Sequence, residues 1–316
     1  MLNVVFKGSL RGGCRVLMLL FLLLPMSLMA EAEVTEANTS DIKVLASIKP
    51  LQLIAQAITQ SVSDTDVLLP AGTTPHDYAL KPSDLGRVYD ADLVLWLGAP
   101  YETYLAKPVG IRAANDLAVM SYGETDADVH HEGHGHENDS DNEHGHLYGD
   151  PHVWFSPEEA WAIAQTVAEL LVQKDVAHAS QYRANLAAFS DQLKRTDERI
   201  KARFTGQNEL RYIVYHDAYS HFENHYGLEH LAAVTKQPES KPGAKSLLRL
   251  RRTIVEQKVA CLFIEPQADL DIVNILKEGN SMQVYQMDPM ATDIEATAQG
   301  YIQFLEQAAE QLLQCR

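Results

Sequence analysis

The sequence predicts an α/β protein of two lobes, each built on a mostly parallel four-stranded sheet flanked by helices, with a cleft between the lobes. Three observations predict this architecture. Short apolar segments of strand length alternate with helical patterns in the first half of the chain. A long helical pattern follows over 179–204, and the alternation then repeats in the second half.

The first 32 residues are typical of a secretory signal peptide, because Lys7, Arg11 and Arg15 precede an apolar run over 16–29 and small residues follow it. The run is short for a bilayer span, although a retained anchor is the alternative. Cys14 precedes the run, so it is not the lipid-modified cysteine of a lipoprotein. We expect export followed by cleavage.

The chain is acidic, with 43 Asp and Glu against 26 Lys and Arg and a formal charge of −17. Loss of residues 1–32 removes three basic residues and one acidic residue, which moves the charge to −19. Nucleic acid is therefore not an expected partner. The acidity suits a protein that handles cations, or it simply keeps an exported protein soluble.

The first lobe is predicted over 33–176. Its strands are the apolar segments 42–48, 66–70, 93–98 and 117–121, and its helices are predicted over 50–59, 81–91 and 157–174. Pro82, Ser83 and Asp84 form a helix start, as do Ser156 and Pro157. Alternation of strand and helix predicts a parallel sheet.

An acidic, glycine-punctuated segment over 123–149 interrupts this lobe and has the composition of a disordered surface loop. It carries six histidines: His130, His131, His134, His136, His144 and His146. These imidazoles can bind metal, but ordering a flexible loop costs entropy that is subtracted from affinity. We interpret the loop as a secondary metal collector; a solvated insertion is the alternative.

A linking helix is predicted over 177–205 and the second lobe over 206–316. The helix shows apolar residues at helical intervals, including Tyr182, Phe189 and Leu193. The second lobe repeats the first, with strands predicted over 212–216, 231–234, 261–265 and 284–288 and with helices over 244–258 and 293–313.

Two cysteines remain in the mature chain, Cys261 and Cys315. An even number in a compartment that permits disulfides predicts that they pair. The bridge would tie the C-terminal tail to a strand and stabilise the fold by roughly 4 kcal/mol. A thiolate metal site is the alternative, but the chain lacks the Cys-x-x-Cys spacing that would support it.

Metal-ligating side chains follow several predicted strands. His76 follows the second strand, His216 ends the first strand of the second lobe, Asp288 ends another, and His152 precedes a capped helix. Ligands of open parallel sheets bind outside the carboxyl ends of the strands, so these four groups are expected to meet in the cleft. Imidazole nitrogens suit zinc, copper or nickel better than calcium or magnesium, and tetrahedral zinc fits best.

Each ligand histidine needs an acceptor for its second ring nitrogen, and Asp77, Asp150 and Asp217 lie near the three histidines in sequence. Helix capping is an equal alternative for these aspartates. A zinc ion held by three histidines and a water is also a hydrolytic centre. However, the segment "HFENH" places its glutamate wrongly for the metalloprotease motif H-E-x-x-H.

The segments "PAGTTPHDYALKPSD", "DPHVWFSP", "VYHDAYSHFENHYGL", "KPGAKSLLRLRR", "CLFIEPQ" and "MDPMATDI" together resemble the substrate-binding proteins of bacterial zinc ABC transporters. The resemblance covers 41–315. It implies a periplasmic receptor that holds Zn²⁺ between its lobes and presents it to an inner-membrane ABC permease. We expect the protein to be a monomer, and not an enzyme because no paired carboxylate, nucleophile elbow or phosphate-cradling loop appears near the histidines. The resemblance places ligands at His76, His152 and His216.

The resemblance also marks departures. Relatives that prefer manganese carry a carboxylate where His216 stands, so the imidazole favours zinc over manganese or another divalent metal. Some zinc receptors carry a glutamate before the first histidine, where this chain has Pro75, which leaves the fourth ligand open to Asp288 or water. Three further histidines, His221, His225 and His230, predict either a weak second site or solvent-facing side chains. A surface adhesin or a zinc buffer is a further alternative.

Overall fold

The computed structural model describes residues 40–112, 116–120, 149–206, 210–236 and 240–315, all within one compact unit, Ala37–Arg316. None of the helices described in these ranges is long and apolar enough to cross a membrane. The predicted signal peptide lies outside the described residues. The same holds for all six histidines of the predicted loop.

The first sheet consists of four parallel strands in the order β2-β1-β3-β4. Its strands are β1 Val44–Ala46, β2 Thr65–Val67, β3 Leu93–Trp96 and β4 Leu117–Ala118, and its helices are α1 Lys49–Thr59, α2 Pro82–Asp90 and α3 Thr103–Ile111. The predicted strands are confirmed, and each is shorter than its apolar segment. The sequence analysis missed α3, which carries an internal proline, Pro108, that usually breaks a helix.

Two helices follow the first sheet, α4 Pro157–Lys174 and α5 Ala179–Phe204. The Ser156 hydroxyl accepts the backbone N–H of Glu159 at 3.2 Å, which confirms the predicted cap. The long helix α5 buries one stripe of residues at three- and four-residue intervals: Tyr182, Asn185, Phe189, Leu193, Thr196, Ile200 and Phe204. It contacts α1 and α4, which precede it in sequence, and α9, which follows it.

Asn185 shows how α5 is fixed. Its side-chain amide donates to the backbone carbonyls of Ile58 and Gln60 at 2.8 and 2.9 Å. These carbonyls end α1 and lack partners within that helix. The buried amide therefore joins the long helix α5 to the C-terminal end of α1.

The second sheet repeats the first, with parallel strands in the order β6-β5-β7-β8. Its strands are β5 Tyr212–His216, β6 Ala233–Thr235, β7 Cys261–Ile264 and β8 Gln283–Gln286, and its helices are α6 Ser220–Tyr226, α7 Ala244–Glu256, α8 Leu270–Lys277 and α9 Gly300–Leu312. In each sheet the second strand in sequence pairs with one edge of the first strand, and the third strand pairs with its opposite edge. This reversal creates a switch point beside β1 and beside β5, where such folds bind ligands.

The last helix, α9, begins at Gly300, later than the predicted Asp293. Residues before it form a compact turn, in which Ala291 adopts a positive φ of 53°. A Cβ at position 300 would lie 2.6 Å from the Glu295 carbonyl oxygen, so only glycine allows this close approach. Apolar spacing alone does not reveal such a backbone contact.

The predicted disulfide is confirmed. Cys261, the first residue of β7, is bonded to Cys315 just after α9, and both are buried. The bridge spans 54 residues of sequence. It fixes the tail of the chain to a central strand of the second sheet.

Glu102, the residue directly before α3, is a fully buried carboxyl group. Burial raises its pKa to about 7, against the opposing effect of hydrogen bonds from the Leu97 backbone N–H and the Tyr104 hydroxyl. The charged form is therefore disfavoured by the fold at neutral pH.

We expect Glu102→Gln to weaken the pH dependence of stability. The pKa of this group rises from 4.5 to about 7 on folding, so its contribution is complete below pH 4.5 and is lost as the pH rises through 7. The loss amounts to at most about 3 kcal/mol at pH 8. Glutamine cannot ionise and keeps a carbonyl acceptor for Leu97 N–H.

Denaturant unfolding of zinc-free protein at pH 5 and pH 8 measures this effect. The fall in unfolding free energy between the two values should shrink in Glu102→Gln. The exposed Glu169→Gln variant serves as the control. Parallel pH profiles for the parent and Glu102→Gln would contradict the assignment.

Candidate metal centre

His216 is the last residue of β5 and lies at the switch point of the second sheet. Its side chain is buried, with 2% of its surface exposed. The ring nitrogen Nδ1 lies 3.0 Å from Oε1 of Glu265, which directly follows the adjacent strand β7. The other nitrogen, Nε2, is buried and has no hydrogen-bond partner in the part of the chain that the structure describes.

His152 precedes a short 3₁₀ turn, Val153–Phe155, that leads into α4. Asp150 accepts two hydrogen bonds from it, one from the backbone N–H at 3.1 Å and one from Nδ1 at 2.6 Å. Burial lowers the pKa of His152, and the Asp150 carboxylate only partly opposes this effect. The ring is therefore neutral at pH 7, as a metal ligand must be.

His76 comes from the first sheet, on a 3₁₀ turn, Pro75–Asp77, beyond β2. It is exposed, whereas His152 and His216 are buried. Its ring centroid lies 6.2 Å from that of His152 and 5.7 Å from that of His216. An exposed imidazole thus faces two buried ones.

The three histidines place one ring nitrogen each within 4.8 Å of one another. Of all His, Cys, Asp and Glu side chains in the described ranges, only these form a group of three or more that could hold a metal ion. The Nδ1 atoms of His152 and His216 are engaged with carboxylates, and Nε2 of His216 has no hydrogen-bond partner among the described residues. The Nε2 atoms of both rings therefore remain for a metal. Three imidazole nitrogens are a donor set that suits zinc.

Glu265 was missed by the sequence analysis, which named Asp217 as the nearby acceptor. Asp217 instead accepts from the Ser220 hydroxyl at 3.2 Å. Glu265 is 49 residues from His216 in sequence but is buried beside it, because β5 and β7 are neighbours. Its position at the end of a predicted strand was the available signal. Asp150 holds His152 as expected, and the Asp77 side chain lies outside the description.

Asp288 is not part of the group of ligand atoms within 4.8 Å. Its two carboxylate oxygens accept the backbone N–H groups of Met290 at 2.9 Å and Thr292 at 2.7 Å. These bonds shape the turn that precedes α9. The Asp288 carboxylate is thus engaged with the backbone of this turn, and Asp288 stays only a predicted fourth ligand.

The remaining histidines, His221, His225 and His230, do not converge. His221 lies 3.1 Å from the Asp150 carbonyl oxygen, and His225 sits between Glu158 and Asp197 at 2.8 and 2.7 Å. His230 is bonded to Glu223 at 2.8 Å. Burial opposes protonation of His230, but the bond and nearby carboxylates raise its pKa overall. Each ring is engaged separately, so no second site is formed by these three residues.

We expect Glu265→Gln and Asp150→Asn each to weaken zinc binding by roughly 10- to 100-fold, as loss of an outer partner of a ligand histidine does. A neutral amide holds the imidazole less firmly and lowers its basicity. Competitive zinc titration measures the change. Glu223→Gln is the matched control, because this buried carboxylate holds His230 away from the group. An equal loss in the control would contradict the assigned role.

The chain is similar to known proteins both in sequence and in fold. Residues 44–315 match the family model described as zinc-uptake complex component A, periplasmic. The high-affinity zinc uptake system protein ZnuA of Yersinia pestis is 35% identical over 293 residues, which is 88% of this chain and 92% of that protein.

Two solved structures share the fold. A crystal structure of ZnuA aligns with a TM-score of 0.72 and 23% identity, covering 87% of this chain and 99% of the other. The periplasmic zinc-binding protein TroA of Treponema pallidum aligns with a TM-score of 0.71 and 20% identity, covering 87% and 99%.

Proposed function

This chain belongs to the family of periplasmic A components of zinc-uptake complexes, and from that membership we propose that it captures Zn²⁺ outside the cytoplasmic membrane and delivers it to an ABC permease. The convergence of His76, His152 and His216 within 4.8 Å carries the proposal. The zinc ion is cargo for this protein. It must be bound tightly and yet be released.

The three histidines have different roles in capture. His152 and His216 are buried and are held by Asp150 and Glu265, so they form a preset half-site. His76 lies beyond β2 of the first sheet, whereas His216 ends a strand of the second sheet, and His76 is exposed. We assign it the role of closing the site after zinc has met the buried pair, with a water as the fourth ligand.

The same chemistry favours zinc over manganese. Imidazole binds borderline metals well, whereas manganese prefers carboxylate and water oxygens. The carboxylates of Asp150 and Glu265 are engaged with the Nδ1 atoms of His152 and His216. They therefore support the imidazoles rather than supply a site of oxygen ligands.

Several further features belong to this proposal. The segment 1–32 is removed on export, the loop over 123–149 collects zinc, and the mature receptor is a monomer without catalytic activity. The division into lobes at 177–205 also stays a prediction. Because α5 contacts elements of both halves, we expect release to use small tilts and loop shifts rather than wide opening.

Competitive titration with a chelator of known affinity tests the function. We expect one tight zinc ion in the cleft, much weaker manganese binding, and a loss of zinc affinity as the pH falls from 8 to 5, because protonated histidines cannot ligate. Denaturant unfolding at pH 5 verifies that the fold persists. Flat zinc affinity across this range, or tighter manganese binding, would overturn the proposal.

A further inference from the structure

One face of the second sheet is covered by two helices, α7 and α8, and both carry exposed apolar side chains. Of the nine large hydrophobic residues that are exposed in the described part of the chain, four lie on these helices. They are Leu248, Val255, Leu270 and Ile275, with 68%, 65%, 62% and 41% of their surface exposed.

The inward face of α7 is already satisfied by packing. Leu250 and Ile254 are buried in a cluster with Ile213 and Leu262 of the sheet. Leu248 and Val255 point the opposite way, since they are offset from the buried positions around the helix. Packing of the sheet therefore does not explain the exposed leucine and valine.

Basic residues share this exposed face. Lys245, Arg249 and Arg252 recur at intervals of three or four with Leu248 and Val255, so they lie on one side of the helix. None of the three forms an ion pair with a residue that the structure describes. Glu256 is the one acidic residue of α7 and lies at its last position.

The neighbouring helix continues the surface. Arg251 of α7 donates to the Ile275 carbonyl of α8 at 3.2 Å and pairs with Glu278. Its charge is therefore used to join the helices, whereas the three outward cations stay available. At the start of α8, Leu270 is exposed beside the ion pair of Lys241 and Asp269.

The charge of the exposed face of α7 indicates which kind of surface binds it. The whole chain carries −17, so it is repelled from an anionic surface except where cations cluster. This face of α7 carries three cations that form no ion pair with a described residue, two exposed apolar side chains and one carboxylate, Glu256, four residues after Arg252. Its net positive charge and its apolar groups match an anionic lipid surface, which attracts Lys and Arg and accepts apolar groups at its boundary.

We propose that the outward face of α7, formed by Lys245, Leu248, Arg249, Arg252 and Val255, docks the receptor on an anionic phospholipid surface. The interaction is weak and orients the protein at the membrane in which the permease lies. It is separate from the zinc site, which the sheets form at the carboxyl ends of their strands. Each cation contributes roughly fivefold to vesicle affinity.

Vesicle co-sedimentation of the zinc-loaded mature protein tests the proposal. The parent should bind vesicles of phosphatidylglycerol and phosphatidylcholine, should ignore vesicles of phosphatidylcholine alone, and should dissociate as salt rises. Arg249→Glu with Arg252→Glu should lose at least roughly tenfold in vesicle affinity. Leu248→Ser with Val255→Ser should also weaken binding.

The matched control is Lys194→Glu with Arg195→Glu on the exposed side of α5, which changes the net charge equally. It should keep vesicle binding. All variants should keep their zinc affinity, which separates this test from that of the proposed function. Absence of parent binding, or equal losses in both charge variants, would overturn the proposal. So would loss of permease capture by the α7 variants without any lipid binding, which would assign the face to a protein partner.

Discussion

Replacing His216 with alanine should abolish tight zinc binding while the fold persists. His216 supplies a buried, orphaned Nε2 at the end of β5. Its removal leaves two imidazoles for the metal, and the loss should exceed the roughly 10- to 100-fold that follows loss of an outer-shell partner. Glu265 also loses the ring that it holds.

Competitive zinc titration measures this effect, with unfolding curves of the zinc-free proteins to verify folding. His230→Ala is the matched control, because His230 is likewise held by a buried glutamate but lies outside the group. Deletion of Val129 to Leu147 should keep one tight zinc ion. If the deletion abolishes tight binding and His216→Ala does not, the His-rich loop is the receptor site instead.

Loss of the disulfide should be the largest change in stability. The bridge between Cys261 and Cys315 spans 54 residues, which corresponds to roughly 4 kcal/mol in the chain-entropy account. Cys261 is the first residue of β7, and Glu265 directly follows the last residue of this strand. The bridge to the C-terminal tail therefore also supports the strand that positions Glu265 beside His216.

Denaturant unfolding of the zinc-free Cys261→Ser, Cys315→Ser double variant measures this contribution. Thiol reduction of the parent should produce a similar loss, since both treatments remove the same cross-link. Zinc affinity should change much less than in His216→Ala. A stability loss below about 1 kcal/mol would mean that the bridge constrains the unfolded chain far less than its length implies.

The grouping of the three histidines could be predicted from the sequence because short segments around each of them reveal its place in the fold. Each follows a strand or precedes a capped helix, and parallel strands bring their carboxyl ends to one edge. The limits of α4 and α5 were also predictable, since Ser156 and the apolar stripe of α5 mark them directly.

The acceptors were harder to predict because they depend on strand order. Asp150 lies two residues from His152 and was found, but Glu265 reaches His216 only because β7 pairs with β5. A single sequence does not state which strands are neighbours. Asp217 was preferred only because it adjoins His216 in the chain.

The late start of α9 has a physical origin in the turn that precedes it. The Asp288 carboxylate binds backbone N–H groups of Met290 and Thr292, and the turn that it shapes delays the start of α9. Apolar spacing and strand-end position describe neither backbone hydrogen bonds nor the close approach at Gly300. Local backbone geometry overrode the apolar spacing here.

The most direct test of the central claim is zinc X-ray absorption of the protein loaded with one equivalent of zinc, with and without the segment Val129 to Leu147. We predict the same spectrum from both proteins, with three imidazole nitrogens at about 2.0 Å and one oxygen ligand. His216→Ala should remove one imidazole contribution. A spectrum that changes on loop deletion but not in His216→Ala would contradict a zinc site formed by His76, His152 and His216.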